Sequence, residues 1–532
     1  MSLRPTPCDV IPALTITVAR AAFPQGNAYL RLRDALGPIF TDAQFAPLFT
    51  RRGQPAACPC RLALVTLLQY AENLSDRRTA EAVRGRLDWK YLLGLELSDP
   101  GFDASVLSEF RGRLVTGGAE EQLLDTLLAV CRERELLAAR GRQRTDATHV
   151  LGAVRALNRL ECAVETLRAA LNVLATVAPE WLRAHANPAW VERYAKRADE
   201  YHMPRAEGAR RAYAEQVGHD EHQLLAAVTA SGAPSWLHDI PALELLRRVW
   251  VQCFYISWPT PVSGSEGGDQ GGSGPMVRWR TRADGFPPSL LMVASPYDAD
   301  VHYAKKRTTA WIGYKVHVTE TCEENGPHLI THVETTPAPV VDRAVLGRVH
   351  AALAAKGVLP SVHLVDGGYV DADQLVASAR DYAVTLLGPS PKDQQWQARA
   401  ADGFAVDDFH LDWDHETATC PAGHTSSSWT ADHNQGRAVV KIRFSTSDCR
   451  PCPLKSRCTR SARRLLTPRR REEYEALRAA RAAEGNPAFC RRISPTRRDR
   501  GDPVCWCPSP APPARPVSWN GQDAPSACSE RR

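Results

Sequence analysis

Two aspartates, Asp146 and Asp366, occupy positions from which they could bind a metal ion. Asp366 follows a short apolar run, 362–365, whose lack of strict alternation is typical of a strand buried on both faces. The Gly367-Gly368 pair then lets the backbone turn and leaves room beside the carboxylate. Asp146 lies within a β-prone segment, 144–150. Because Asp-Gly is also common in ordinary turns, Asp366 by itself does not establish a site.

The two carboxylates converge if their segments are neighbours in one sheet. Oxygen ligands of this kind suit Mg²⁺ or Mn²⁺ rather than zinc. Two such ions, about 4 Å apart, can activate an attacking oxygen and stabilise the leaving one in phosphodiester cleavage. A third carboxylate is normally needed to complete such a site. The spacing alone therefore indicates Asp146 and Asp366 as two members of a larger set.

Four cysteines form a second candidate metal site: Cys420, Cys449, Cys452 and Cys458. Four thiolates with a central Cys-x2-Cys fit a tetrahedral structural Zn²⁺ site, with His424 as a substitute ligand. The gap after Cys420 is long, so a set of packed free thiols is an equally good interpretation.

The overall composition sets the class of protein. At 532 residues the chain should form about two to four domains. A composition of 44% hydrophobic and 24% charged residues is typical of a soluble globular protein. The chain has neither a membrane-spanning apolar stretch nor the apolar core of a signal peptide, so we expect a cytoplasmic protein. The fifteen cysteines are too dispersed for a disulfide scaffold, and the Cys58-Pro59-Cys60 spacing is too short to indicate a site. The net charge of +6 permits a nucleic-acid partner without requiring one.

Periodicity predicts the elements that must position these residues. The region 61–140 is helical, with arginine-rich outer faces that suit solvent or phosphate equally. Helical patterns continue over 153–255, and 262–275 is a Gly/Ser loop. The pattern then changes to strands at 311–318, 329–333, 362–365 and 384–387, with helices at 345–355 and 372–380. This order predicts a mixed sheet with helices packed on it.

Several segments resemble the DDE transposases of bacterial insertion sequences, specifically the group with a long helical N-terminal domain. The resembling segments are 67–77, 88–91, 99–111, 144–149, 295–298, 311–321, 363–369 and the cysteine segment. The resemblance implies an RNase H-like core that binds terminal inverted repeats, nicks the element's ends and joins them to target DNA. It makes Asp146 and Asp366 the first two acids of the catalytic triad, with Mg²⁺ or Mn²⁺ as cofactor. It also implies double-stranded DNA as partner, action as a homodimer and a place on the bacterial nucleoid.

Cationic side chains near these segments are our candidates for DNA contact. They are Arg144, Lys305, Lys306, Arg307, Lys315 and Arg460. The cysteine segment is itself flanked by a basic cluster that suits phosphate contact better than a random surface does.

The third acid departs from the resembling pattern, which is Tyr-x2-Arg-x3-Glu. Ile493, Thr496 and Arg500 stand where the tyrosine, the arginine and the glutamate belong. The remaining tail is rich in proline and arginine and has no apolar periodicity. Codon degeneracy permits a shifted reading frame that restores Ile-Glu-Gly-Thr at this place, so our hypothesis is a frameshift near residue 492. Glu475 and Glu484 could substitute, but we favour solvated helix glutamates.

The predicted fold class is α/β, an RNase H-like mixed-sheet core with an all-α N-terminal domain and two insertions. The domains are 1–140 (helical, DNA-binding), 141–160 with 285–492 (core), 161–284 (helical insertion), 395–465 (cysteine-containing insertion) and 493–532 (disordered, out-of-frame tail). The predicted function is transposition. The alternatives are a catalytically inactive DNA-binding remnant and a zinc-dependent nucleic-acid-binding module. The latter leaves the Asp146 and Asp366 segments unexplained.

Overall fold

The N-terminal region is helical, as predicted. The computed structural model describes residues 2–3, 9–155, 157–198, 203–258, 275–306, 308–324, 326–400 and 402–484. The first seven helices are α1 (Ala13–Ala22), α2 (Ala28–Leu36), α3 (Pro59–Ala71), α4 (Asp76–Gly85), α5 (Leu87–Leu93), α6 (Ser105–Thr116) and α7 (Gln122–Glu133). The Ser75 side chain accepts a hydrogen bond from the Arg78 backbone N–H and so caps α4. Phe45, Trp89 and Phe110 are fully buried in the shared core of these helices.

A second helical unit follows β1 (Arg142–Leu151) in the chain and precedes the other strands of the central sheet. It contains α8 (Arg159–Val177), α9 (Pro179–His185), α10 (Ala189–Tyr194), α11 (Glu207–Thr229), α12 (Pro241–Cys253), β2 (Phe254–Ser257) and β3 (Met276–Trp279). Its hydrophobic core is separate from that of the N-terminal helices. The predicted Gly/Ser loop, 262–275, lies outside the described residues except for Pro275. No helix of the described ranges is long and apolar enough to cross a membrane.

The central sheet has six strands within the described residues. They are β1 (Arg142–Leu151), β4 (His302–Lys306), β5 (Thr309–Thr321), β6 (Ile330–Pro337), β7 (Val362–Val365) and β8 (Thr385–Leu387). The order is β4-β5-β1-β7-β8, and β6 also pairs with β5. β1 runs antiparallel to β5 and parallel to β7, and β7 runs parallel to β8. The helices α13 (Leu346–Ala355) and α14 (Ala372–Tyr382) alternate with these last strands. The predicted fold class is confirmed, because this mixed sheet is consistent with an RNase H-like core.

The two faces of this sheet differ in burial. In β5 the odd-numbered residues from Trp311 to Thr321 are buried, whereas the even-numbered ones are only partly covered. On the buried side, Ala147 and Val365 pack with Leu346 of α13. The other side carries Asp146, which is exposed, and Val333, which is 41% exposed. Within the described ranges this second face is therefore more exposed than the first, although Leu364 on it is buried.

The cysteine-containing region forms its own small β-rich unit. Its elements are α15 (Trp396–Arg399), β9 (His410–Asp412), β10 (Thr417–Thr419), β11 (Ser428–Asn434), β12 (Arg437–Arg443), α16 (Thr446–Cys449), α17 (Lys455–Cys458) and β13 (Leu465–Leu466). Phe409, Ile442 and Phe444 are buried at its centre. The last helix, α18 (Arg471–Glu484), packs on α14 and so joins this unit to the sheet.

Candidate active site

Strand pairing brings the two predicted aspartates together. In the parallel ladder between β1 and β7, Thr145 is the register partner of Val365. Asp146 and Asp366 are the next residues on these neighbouring strands. Residues in parallel register present their side chains on the same side of a sheet. The two carboxylates therefore lie next to each other at the end of β7, although they are far apart in the chain.

The turn after β7 fixes the orientation of the Asp366 carboxylate. The backbone N–H of Gly368 donates a hydrogen bond to Asp366 Oδ1 at 2.8 Å. On β1, the N–H of Ala147 donates to Asp146 Oδ1 at 2.8 Å. Burial raises the pKa of the half-buried Asp366 carboxyl, and the nearby charges of Asp342 and Asp146 raise it further. The site therefore concentrates negative charge, which a divalent cation would offset.

A third carboxylate, that of Asp342, lies near Asp366, and the sequence reasoning missed it. Asp342 is buried in a short 3-10 turn that follows β6. The Lys315 ammonium donates to Asp342 Oδ1 at 2.9 Å and to the Val340 carbonyl at 2.7 Å. In the sequence, Asp342 stands between a predicted strand and a predicted helix. This position is weak evidence for a functional residue, because aspartate is common at helix starts.

The placement of Lys315 differs from that expected of a DNA-contacting residue. It lies on the buried face of β5 and is only 8% exposed. Its ammonium is held by Asp342 and Val340, so it faces the protein interior rather than a polyanion. The alternation that predicted β5 did not identify which face is buried.

The other predicted cationic residues have different surroundings. Lys305 and Lys306 lie on the exposed part of β4. Lys306 is close enough to Asp366 to lower the pKa of that carboxyl, against the larger effect of burial. Arg307 lies outside the described residues. Arg144 is half-buried and forms an ion pair with Glu320 at 2.5 Å.

Gly313 lets β5 approach β1 closely near the β4–β5 hairpin. Gly313 has φ +155°, and a Cβ at this position would lie 2.0 Å from the Val150 carbonyl oxygen. Only glycine fits so close an approach in this conformation. Two residues before Gly313, the Trp311 ring lies against the His149 ring, with centroids 3.9 Å apart. The hairpin carries the exposed Lys306, whose charge acts on Asp366.

A chain of buried polar side chains lies on the opposite face of the same strands. His363 Nε2 is 2.6 Å from Thr145 Oγ1, and His363 Nδ1 is 2.8 Å from His350 Nε2. Thr145 Oγ1 is also 2.7 Å from Thr319 Oγ1, so β1, β5, β7 and α13 are linked. Burial lowers the pKa of His363 to about 3 and that of His350 to about 4. Both rings are therefore neutral at pH 7, and they stabilise the register that places Asp146 beside Asp366.

The region of the expected third acid is only partly described. Ile493, Thr496 and Arg500 lie outside the described residues. Of the two substitutes considered, Glu475 is exposed and pairs with Arg471 at 3.0 Å. Glu484 accepts a hydrogen bond from the Ser390 N–H at 2.6 Å and so contacts the loop after β8. Each of these glutamates therefore already has a protein partner.

The four cysteines of the second candidate site line one pocket, together with His424. Burial raises the pKa of the Cys458 thiol, and the three other thiols raise it further. Arg460 is exposed at the edge of this unit, with its guanidinium 4.8 Å from the Trp396 ring centroid.

A different group has the closest spacing of ligand atoms. Among the described residues, the group whose ligand atoms all lie within 4.8 Å of one another is Asp42, Cys58 and Cys60. The four sulfurs of the cysteine pocket therefore do not close around one point. Cys60 is disulfide-bonded, so its sulfur is not a thiolate ligand and this close group carries no metal proposal.

The donor chemistry of the acidic site suits a hard divalent cation, although Asp146, Asp342 and Asp366 are not among the described residues whose ligand atoms all lie within 4.8 Å of one another. Its donor set consists of carboxylate oxygens, which such cations prefer. Gly368 has no side chain, and a Cβ there would lie 2.7 Å from Asp342 Oδ2 and 3.0 Å from Asp366 Oδ1. The absence of that atom leaves space between these two oxygens.

Two regions of the chain match known protein families. Residues 17–113 match a transposase domain (DUF772), and residues 419–498 match a transposase DDE domain. The second match covers most of the cysteine-containing unit and α18 and ends before Arg500. No curated protein and no solved structure matches the chain. Two segments of the chain are therefore similar to transposase domains, and its mixed sheet is consistent with the RNase H-like core of DDE transposases.

Proposed function

We propose that this chain is the transposase of a bacterial insertion sequence, which cleaves and transfers DNA strands at Asp146 and Asp366. The observation that carries the proposal is the pairing of β1 with β7, which sets these two carboxylates side by side. The DNA substrates are the terminal inverted repeats of the element and the target duplex. A transposase of this kind would act as a homodimer on paired ends.

The residues of the site have distinct parts in this chemistry. Asp146 and Asp366 would hold Mg²⁺ or Mn²⁺, which activates the attacking oxygen and stabilises the leaving oxygen of a phosphodiester. The Gly368 and Ala147 N–H groups keep the two carboxylates oriented. Lys306 is exposed on the β4–β5 hairpin and its charge acts on Asp366, so it would bind a DNA phosphate near the two aspartates.

DNA binding would use the exposed cations rather than the buried one. Lys305, Lys306 and Arg460 are exposed and can reach the phosphates of a duplex. Arg144 would have to exchange its ion pair with Glu320 for a phosphate. The predicted contact of Lys315 with DNA is not part of this proposal, because its ammonium is buried against Asp342.

The cysteine pocket would hold a structural Zn²⁺. Cys420, Cys449, Cys452 and Cys458 supply the four thiolates that such a site uses. The shared pocket supports this assignment, and binding of the ion would draw the sulfurs together.

A second candidate function is that of an inactive remnant that binds inverted repeats without cutting them. Arg500 stands where the resembling pattern has a glutamate, and this observation favours the candidate. We propose that a frameshift near residue 492 produced the change, and the nucleotide sequence across codons 485–510 tests it. A reading frame that does not restore Ile-Glu-Gly-Thr would contradict the frameshift.

The two candidates are separated by incubating the full chain with a labelled inverted-repeat end and Mg²⁺. Nicking that requires both Mg²⁺ and Asp146 supports the transposase. Binding without nicking, unchanged in Asp146→Asn, supports the remnant.

A further inference from the structure

We propose that the last turn of α18 positions Asp366, because Glu484 and Arg481 hold the loop that follows β8, residues 388–391 (the β8 loop). This inference rests on the proposed function and concerns the orientation of one of its two aspartates. Glu484 is then a positioning residue and not a substitute for the third acid. Both α18 residues precede position 492, so the inference does not depend on the reading frame beyond it.

The β8 loop lies directly against the turn that carries Asp366. A Cβ on Gly388 would lie 2.5 Å from the Val365 carbonyl oxygen. A Cβ on Gly367 would lie 3.2 Å from the Pro389 carbonyl oxygen. Val365 and Gly367 are the residues on either side of Asp366. The backbone of the β8 loop therefore packs on both chain neighbours of this aspartate.

Two side chains of α18 hold the β8 loop. The Ser390 N–H donates a hydrogen bond to Glu484 Oε1 at 2.6 Å. The Arg481 guanidinium donates to the Pro391 carbonyl from Nη2 at 2.8 Å and from Nε at 3.3 Å. Glu484 and Arg481 are three residues apart on the helix, so they lie on one face. This face of α18 therefore contacts two consecutive residues of the loop.

The composition of the β8 loop gives the Glu484 contact its importance. Pro389 and Pro391 have no N–H, so Ser390 carries the one backbone donor of these three residues. Ser390 is 8% exposed, and its hydroxyl has no hydrogen-bond partner among the described residues. Its backbone N–H therefore makes the hydrogen bond that holds it, and a carboxylate acceptor strengthens that bond.

α18 also supports the turn of Asp366 from its other end. The turn leads into α14, whose N-cap is Asp371, and α18 packs on α14. Arg469, two residues before α18, is 3.4 Å from Asp371 Oδ1. The turn, including the Gly368 N–H that orients the Asp366 carboxylate, therefore lies between two segments that contact α18 or the residues just before it. Metal ligands must keep their positions to within about 0.5 Å, so loss of one support should impair the site.

The test is Mg²⁺-dependent nicking of a labelled inverted-repeat end by the full chain. We expect Glu484→Ala to lower the nicking rate at saturating DNA by about tenfold and to raise the Mg²⁺ concentration that gives half-maximal nicking. Its affinity for the duplex in EDTA should equal that of the wild type. The matched control is Glu475→Ala, which removes a glutamate that is exposed on the same helix and pairs with Arg471. This control should nick as the wild type does.

A conservative variant separates positioning from a direct part in the chemistry. Glu484→Gln keeps an oxygen that can accept from the Ser390 N–H, so it should retain about half of the wild-type rate or more. If Glu484 were a replacement third acid, Glu484→Gln would lose nicking as completely as Asp146→Asn. That result, or a wild-type rate in Glu484→Ala, would overturn the inference. In the second case the proposed function stands as long as Asp146→Asn is inactive.

Hydrogen–deuterium exchange of the full chain gives a measurement that does not depend on activity. Glu484→Ala should speed exchange several-fold in peptides that cover 362–371 and 385–391, whereas Glu475→Ala should not. Unchanged exchange in both peptides would contradict the inference. A wild-type chain that does not nick DNA would contradict the proposed function, and the exchange rates would still decide whether α18 holds the turn of Asp366.

Discussion

The acidic site and the cysteine pocket are built in different ways, and the difference decides what each needs from a metal ion. The acidic residues Asp146 and Asp366 follow paired residues of β1 and β7, so the backbone ladder places them without an ion. The cysteines lie on two very short helices and in the loops around them, and their sulfurs line a pocket without closing on one point. A ladder of hydrogen bonds can form a site in advance, whereas short loops and single helical turns need the ion to hold the ligands together.

Removing one carboxylate should therefore abolish activity and spare the fold. We expect Asp146→Asn or Asp366→Asn to lower Mg²⁺-dependent nicking by about 10³-fold or more, because the ligand that supports transition-state charge is lost. The melting temperature in EDTA should stay within a few degrees of the wild type. The matched control is Asp381→Asn, whose carboxylate is exposed on α14 and pairs with Arg380. Undiminished nicking by Asp146→Asn would refute the site.

Removing one of the proposed zinc ligands should instead destabilise the fold of the cysteine-containing unit. Cys452→Ser should lose the bound zinc and destabilise the region 404–466 by several kcal/mol, because ion binding there is coupled to folding. Metal analysis of the purified chain and limited proteolysis of this region measure the two effects. The control is Cys131→Ser, which changes a buried thiol in α7. A wild-type chain that contains no zinc would contradict the proposed difference between the acidic site and the cysteine pocket.

The buried histidines should make the sheet sensitive to acid. The pKa values of His350 and His363 lie below that of an unfolded histidine, so the unfolded chain binds more protons between these values. Their contribution is complete above about pH 6.5 and should decrease by about 2–4 kcal/mol as the pH falls to 5.

Thermal melting at pH 7 and pH 5 measures this loss. His363→Gln keeps a polar group without a titrating ring, so its loss of melting temperature between the two pH values should be smaller than in the wild type. The exposed His433→Gln should behave as the wild type. If His363→Gln loses as much melting temperature between pH 7 and pH 5 as the wild type, protonation of His363 does not cause the loss.

Substituting the hairpin lysines should have the smallest of these effects, a loss of affinity for DNA. Lys305→Ala and Lys306→Ala should each weaken binding of a DNA duplex in EDTA and lower the slope of log affinity against log salt by about 1. Lys315→Met should leave this slope unchanged, because its ammonium is held inside the protein. Fluorescence anisotropy over a salt series measures all three. A reduced slope in Lys315→Met would place that residue on the DNA after all.

Much of the architecture was predictable from local signals. The period-2 pattern at 311–318 and the apolar run before Asp366 correspond to β5 and β7. The meeting of Asp146 with Asp366 was predicted on the condition that the two strands are neighbours, and the structure meets that condition.

Other features depend on tertiary contacts that no local pattern encodes. Lys305 and Lys306 are candidates for DNA contact in a segment where no strand is predicted, yet they lie in β4, because pairing with β5 outweighs the low strand preference of lysine. Lys315 is buried because its strand position faces Asp342, which lies after another strand. The cysteine spacing specified a set of thiols but not the distances between them, since these depend on how separate loops pack.

The parallel pairing of β1 with β7 also determines when, during synthesis, the two aspartates can meet. The hydrogen bond between Thr145 and His363 spans 218 residues, among them the whole second helical unit. During synthesis the N-terminal helices and β1 leave the ribosome long before β7 exists, and such distant pairing is intrinsically slow. A growing or prematurely terminated chain therefore contains the first aspartate but no assembled pair, so any scission by this protein must wait until translation has passed residue 366.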